Sequence, residues 1–88
     1  MQTYHAAYYR GEDGWIVVSL LDFPGVHSQG KSLREARYMI KDALKLMAEA
    51  YLEEGRPLPK PRPRARDKDA IHQEKTALEF HARTLAKA

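Results

Sequence analysis

The side chains best suited to chemistry in this 88-residue chain are carboxylates and histidines next to short turns. Asp13, Asp22 and Glu35 are the types of residue that serve as general acids and bases or hold a metal ion. The four histidines, however, lack a second histidine or a cysteine at a metal-ligand spacing. Each carboxylate also has a simpler structural role. We therefore predict no catalytic residue, no metal ligand and no cofactor.

These structural roles belong to the turns and the helix start that connect the predicted elements. Asp13-Gly14 is a strong hairpin signal, and Asp22 precedes a Pro-Gly turn that its carboxylate can cap locally. Ser32 and Glu35 form a capping box, in which the Ser32 hydroxyl accepts from the Glu35 amide and Glu35 reaches back to the Ser32 amide. The predicted turn and cap residues are Asp13, Gly14, Asp22, Pro24, Gly25, Gly30, Ser32 and Glu35.

Three strands are predicted around these corners. Tyrosine-rich residues 2–10 and the apolar run 15–21 each favour a strand, and a short third strand follows at 26–30. Residues 56–59 are a candidate fourth strand at an edge, because their prolines keep the backbone extended. The predicted fold class is α+β, with a three- to four-stranded antiparallel meander.

One long helix follows the strands. Apolar residues recur every three or four positions between Leu33 and Tyr51, which is the spacing of one helix face. The helix begins after Ser32 and ends near Glu54, where Gly55 can adopt the left-handed conformation that closes a helix. We expect its apolar face to cover one face of the sheet.

Composition and charge restrict the class of protein. The chain has no cysteine, no apolar run long enough to span a membrane and no signal-peptide core, so we expect a cytoplasmic protein without a membrane partner. Residues 1–59 carry seven Lys/Arg and eight Asp/Glu, whereas residues 60–88 carry eight and four. The basic character is therefore concentrated in the C-terminal third. An anionic partner for that region and a merely solvated basic segment both fit this asymmetry.

The C-terminal third predicts two further parts beyond a core at residues 1–60. Prolines at alternate positions indicate a stiff basic linker at 61–68, and apolar residues seven apart indicate a C-terminal helix at 69–88. This helix must dock on the core, pair with a second chain, or remain only marginally stable in water, as a lone helix of this length does. A homo-oligomer, either a dimer or a tetramer, is expected. The candidate contacts are Ile71, Leu78 and Leu85.

The basic linker is a candidate nucleic-acid contact, since closely spaced cations neutralise phosphates without reading sequence. No recognition helix is evident beside it, and a solvated linker is the alternative. The candidate residues are Lys60, Arg62, Arg64, Arg66 and Lys68.

Taken together, four motifs over residues 3–61 resemble the HicB-like antitoxin family. They are an Asp-Gly hairpin, an Asp-x-Pro-Gly turn, a Gly-x-Ser-x-x-Glu-Ala helix start and a Pro-x-Pro ending. The resemblance implies a partial RNase H-like fold without that enzyme's catalytic carboxylates. It also implies an antitoxin that binds and neutralises a HicA-type toxin, a small RNA-cleaving protein. Many members repress their own operon through a C-terminal DNA-binding domain, which here is replaced by the basic segment and one predicted helix. The alternative function is a nucleic-acid-binding accessory protein that uses the basic linker.

Overall fold

The sheet contains four antiparallel strands. The computed structural model describes residues 2–79, and in that part of the chain the strands, numbered along the sequence, lie in the order third, second, first and fourth. The first three strands form the predicted meander, and one helix packs against the sheet, which confirms the α+β class. The elements are β1 Thr3–Arg10, β2 Ile16–Leu20, β3 His27–Gly30, α1 Leu33–Glu53 and β4 His72–Ala77.

Helix α1 covers one face of the sheet because its buried residues recur at intervals of four, from Ala36 to Ala48. The core between helix and sheet contains two fully buried tyrosines of β1, Tyr4 and Tyr8, and the Tyr4 ring packs against Phe23 with the ring centroids 5.1 Å apart. Among the described residues, no helix is both long enough and apolar enough to cross a membrane. The remaining core residues are Ala6, Val18, Leu20, Val26, Ala36, Ile40, Leu44, Ala48 and Leu78.

Two glycines permit the tight backbone geometry at the two ends of β3. Gly25 has a φ of 88°, which residues with a side chain rarely adopt, and it lets the chain reverse after Pro24. Gly30 lies so close to the start of α1 that a Cβ atom there would be 2.5 Å from the Ala36 nitrogen. The close approach of β3 to α1 therefore depends on the absence of a side chain at this position.

The predicted capping box is confirmed in one half and wrong in the other. The Ser32 hydroxyl accepts from the Glu35 amide at 3.1 Å, as expected for an N-cap residue. The Glu35 carboxylate, however, accepts from the Lys31 amide at 2.7 Å and not from the Ser32 amide. The reciprocal contact is thus displaced by one residue toward β3.

The predicted C-terminal helix is wrong where the structure describes it. Residues 72–77 form β4, which pairs with β1 over six positions, from Thr3↔Ala77 to Tyr8↔His72. Pairing satisfies backbone groups at the second edge of β1, whereas an isolated helix would have had little to bury against. The rest of that predicted helix, at 80–88, lies outside the described residues. The candidate edge strand at 56–59 is not a strand either, although the Pro59 carbonyl accepts from the Tyr4 hydroxyl at 2.7 Å.

The segment predicted as a linker lies against the sheet face that points away from α1, which we call the outer face. Side chains alternate between the two faces along β1, so His5 and Tyr9 point away from the buried Tyr4 and Tyr8. Ala65 is buried there, and its carbonyl accepts from the Gln73 side chain at 2.7 Å. The sheet is therefore covered by α1 on one face and partly covered by residues 61–68 on the other.

Candidate functional site

Asp22 is the centre of a buried polar cluster on the outer face. Its side chain accepts from the backbone amide and the ring Nδ1 of His5, both at 2.8 Å, and from the backbone amide of Arg62 at 3.0 Å. The Arg62 guanidinium donates in addition to the Leu21 carbonyl at 2.9 Å. One carboxylate thus joins β1, the turn after β2 and the basic segment.

These contacts correct the predicted role of Asp22 as a local turn cap. Its hydrogen-bond partners lie 17 and 40 positions away in the sequence, where a local pattern cannot reveal them. Burial of the carboxylate tends to raise the pKa of Asp22, but hydrogen bonds from His5 and from the Arg62 backbone outweigh burial and hold the pKa below its usual value. Asp22 therefore stays charged at neutral pH as a structural acceptor.

A second polar cluster surrounds Glu74 on the helix side of β4. The Arg37 guanidinium donates to both Glu74 oxygens, at 2.6 Å and 3.0 Å, and so forms a bidentate pair. The Tyr8 hydroxyl donates to the same carboxylate at 2.9 Å, and the His72 ring nitrogen lies 2.9 Å from it. The cluster ties α1 to both β1 and β4. The sequence did not indicate this cluster, because the residues of β4 were predicted to form a helix.

The Arg37 guanidinium stabilises the ionised form of the Glu74 carboxylate. Hydrogen bonds from Arg37 lower the pKa of Glu74 to about 2, despite the opposing effect of burial. Burial and the neighbouring Glu74 carboxylate raise the pKa of the Tyr8 hydroxyl, while the Glu74 partner raises the pKa of Arg37. A carboxylate held this firmly is a poor proton donor or acceptor at neutral pH, so the arrangement favours structure over acid–base chemistry.

The basic segment presents its cations to solvent while its backbone is fixed. The Asp67 carboxylate accepts from the Tyr9 hydroxyl at 2.7 Å, and burial together with this contact raises the pKa of Tyr9 to about 12. The Asp67 amide donates to the Gln73 side chain at 3.2 Å. A polar pocket of about 390 Å³ lies between the segment and β4 and includes Lys75 in its lining. The five predicted contact residues, Lys60, Arg62, Arg64, Arg66 and Lys68, are all exposed.

The two predicted oligomer contacts that the structure describes lie in different environments. Ile71 is 47% exposed just before β4, whereas Leu78 is 4% exposed in the core of its own chain. Leu85 lies outside the described residues. The prediction of a continuous helical stripe is therefore wrong up to Leu78, because β4 separates Ile71 from Leu78.

The remaining predicted site residues have structural positions. Asp13 adopts a positive φ of 56° in the tight turn Glu12–Gly14 that joins β1 and β2. Pro24 and Gly25 are exposed in the next turn. Within residues 2–79, no group of three or more His, Asp or Glu side chains could hold a metal ion.

The order of elements matches a known family. A family model described as a HicB-like antitoxin of bacterial toxin–antitoxin systems matches residues 3–73. The chain belongs to this family. The match extends past the proline-rich segment to Gln73 in β4, so in this HicB-like chain it includes the Asp22 cluster and ends one residue before Glu74.

Solved HicB structures share the fold of this HicB-like chain. The N-terminal domain of the Burkholderia pseudomallei antitoxin HicB superposes with a TM-score of 0.76 at 17% identity, covering 90% of this chain and 100% of that one. The longer Burkholderia pseudomallei HicB structure gives a TM-score of 0.69 at 17% identity, covering 96% of this chain and 67% of that one. A chain from a HicA3–HicB3 toxin–antitoxin complex gives 0.69 at 19% identity, covering 90% and 100%. At these identities the likeness establishes the fold.

A relative in sequence comes from Archaeoglobus fulgidus and is described as a UPF0150 protein. It is 42% identical over 40 residues, which are 46% of this chain and 58% of that protein. The matched region thus spans little more than half of the relative's length.

Proposed function

We propose that this HicB-like chain is a non-catalytic antitoxin that binds and neutralises a small RNA-cleaving toxin of the HicA type in the cytoplasm. The observation that carries the proposal is the family match over residues 3–73. The fold adds support, because a chain from a toxin–antitoxin complex superposes along its whole length. Both polar clusters hold charged groups in fixed structural contacts, which suits a rigid binding protein better than a catalyst.

The test is binding to a purified toxin. A HicA-type protein encoded beside this chain would be titrated calorimetrically, with a catalytically inactive toxin variant used to permit its expression. We expect a saturable complex that also elutes as one species in size-exclusion chromatography. Absence of heat and of co-elution at micromolar concentrations of both proteins would contradict the proposal.

A second candidate function is nucleic-acid binding, including repression of the chain's own operon. It is favoured by the five exposed cations between Lys60 and Lys68, which the contacts of Asp22, Ala65 and Asp67 hold on a fixed backbone. Affinity for duplex DNA should fall steeply with salt, because bound counterions are released on binding.

The variant Arg64→Ala/Arg66→Ala should reduce this binding without disturbing Arg62, whose backbone contacts Asp22. Lys41→Ala, an exposed change on the helix, is the matched control. If gel-shift assays gave no complex even at low salt, this function would be excluded. Self-association into a dimer or tetramer stays a prediction, which analytical ultracentrifugation tests.

A further inference from the structure

Strand β3 is an unguarded edge of the sheet. It pairs with β2 on one side, and among the described residues no strand pairs with its other side. Its sequence, His27-Ser28-Gln29-Gly30, contains neither proline nor lysine, the residues that commonly protect an edge from further pairing. The Leu20 amide of β2 donates to the Val26 carbonyl at 3.0 Å, so the backbone groups of Val26 point toward β2. Because the backbone groups of successive residues alternate in direction along an antiparallel strand, those of His27 and Gln29 point away from β2, toward the open edge.

The flank of α1 beside β3 is apolar and exposed. Leu46 is 60% exposed and Met39 is 37% exposed, although both belong to the helix that covers the core. Leu46 lines a shallow depression of about 340 Å³ together with Ala43, Ala50 and the turn that leads into β3. The outward edge of β3 (residues 27–29) and this stripe (Met39, Ala43, Leu46 and Ala50) form one surface, which we call the β3 surface.

Acidic residues border the β3 surface. In a helix, residues three or four positions apart are neighbours, so each exposed apolar residue of the stripe has carboxylates beside it. Leu46, for example, lies between Asp42 and Glu49. No ion pair within the described residues involves these carboxylates. The acidic border consists of Glu35, Asp42, Glu49 and Glu53.

The opposite flank of α1 has the opposite charge. Lys41 and Lys45 line a pocket with Leu78 near the end of β4, and Arg37 binds Glu74 in β4. By helical spacing the charges of the helix are therefore separated, with cations toward β4 and carboxylates between these cations and the apolar stripe. A second copy of this chain docked by twofold symmetry on the β3 surface would bring two acidic borders together, which is unfavourable.

We propose that the β3 surface is the docking site for a small basic protein, which adds a strand to β3 and covers the stripe with an apolar patch bordered by lysine or arginine. The inference rests on the proposed antitoxin function and assigns that function's partner to one surface. Backbone pairing would supply affinity, while the apolar stripe and the carboxylates would select the partner.

Leucine substitutions on the two flanks of α1 test the docking site. Leu46→Gln places a polar side chain in the stripe, and Leu52→Gln is the matched control, since Leu52 is 43% exposed and lies on the basic flank by helical spacing. Calorimetry with the inactive HicA-type toxin should show roughly tenfold or more loss of affinity for Leu46→Gln, as expected for a central interface anchor. Leu52→Gln should bind like wild type. Equal affinity of both variants would overturn the assignment while leaving the antitoxin function intact.

Charge reversal gives an independent comparison. Asp42→Lys/Glu49→Lys should weaken the complex and slow its association at low salt, whereas Arg34→Glu/Lys41→Glu on the other flank should do neither. If both double variants slowed association equally, the acidic border would have no specific role. A wild-type chain that binds no toxin would remove both the proposed function and this surface assignment.

Hydrogen exchange on the wild-type chain needs no substitution and is independent of variant folding. The amides of His27 and Gln29 should gain protection on toxin binding if a strand is added to β3. Unchanged exchange at both positions in a saturated complex would contradict strand addition. If ultracentrifugation of the chain alone gave an oligomer that Leu46→Gln dissociates, the occupant would be a second copy and the proposal would be wrong.

Discussion

Replacement of the buried Asp22 carboxylate by an amide gives the sharpest test of the fold's internal contacts. In Asp22→Asn, one acceptor oxygen becomes an NH2 group. The wild-type oxygens accept from two backbone amides, those of His5 and Arg62, on different oxygens. Either orientation of the asparagine therefore places a donor against one of these N–H groups. Asp22→Asn should thus leave at least one of these two amides without an acceptor.

The expected cost follows from these contacts. An unsatisfied buried donor costs about 1–3 kcal/mol, and the lost charge weakens the remaining hydrogen bonds, so we expect a loss of about 2.5 kcal/mol in the free energy of unfolding. For a domain of this size that loss corresponds to a decrease of roughly 10–20 °C in Tm. Because the pKa of Asp22 is lowered in the folded state, its stabilisation is present above the ordinary carboxyl pKa and is lost as the pH falls through the lowered value.

Urea unfolding followed by the fluorescence of Trp15, the chain's single tryptophan, measures this loss. Asp69→Asn removes a carboxylate from an exposed residue and is the matched control, expected to unfold like wild type. Equal stability of Asp22→Asn and Asp69→Asn would refute the structural role of the buried carboxylate.

Three further substitutions test the other contacts. Glu74→Gln should lower the free energy of unfolding by about 1–2 kcal/mol after allowance for solvent screening. Because the pKa of Glu74 is lowered in the folded state, this difference from wild type should disappear as the pH falls from about 4.5 toward about 2. A difference that stayed constant over this pH range would contradict the prediction. Gly30→Ala should cost about 3 kcal/mol or more in urea unfolding through its clash with Ala36, whereas Gly55→Ala, with open space around it, should cost less. Ser32→Ala should cost about 1 kcal/mol in thermal unfolding, and an unchanged Tm would argue against the N-cap.

The first two thirds of the fold follow from local sequence signals. The apolar run of β2, the glycine turns and the Ser32 cap each determine a nearby backbone conformation, so β1 to α1 could be predicted within a residue or two. These signals act between residues close in sequence. They require no knowledge of distant partners.

Strand β4 could not be predicted in this way because its inward side chains are polar. His72, Glu74 and Thr76 face the helix side, so the alternation of apolar and polar residues that marks a strand is missing. Contacts with Tyr8 and Arg37 stabilise this polar strand, and they depend on the folded chain. The seven-residue spacing of Ile71 and Leu78 also fits a helix, and no alternating pattern between them indicated a strand. The two residues in fact bracket β4.

The Asp22 cluster could not be predicted from the sequence either, because its members are distant in sequence. Asp22 precedes a Pro-Gly turn, and this local context suggested a local cap. Its partners His5 and Arg62 come near it only after β1 pairs with β2 and the basic segment crosses the outer face. The exposed cations of that segment, by contrast, were evident from charge alone.

Inhibition of the toxin's RNA cleavage is the most direct test of antitoxin function. A purified HicA-type toxin would be incubated with RNA and increasing amounts of the wild-type chain, and intact RNA would be quantified on a gel. We expect the RNA to be fully protected once the chain is in slight molar excess. Undiminished cleavage at a large excess of correctly folded chain would contradict that function.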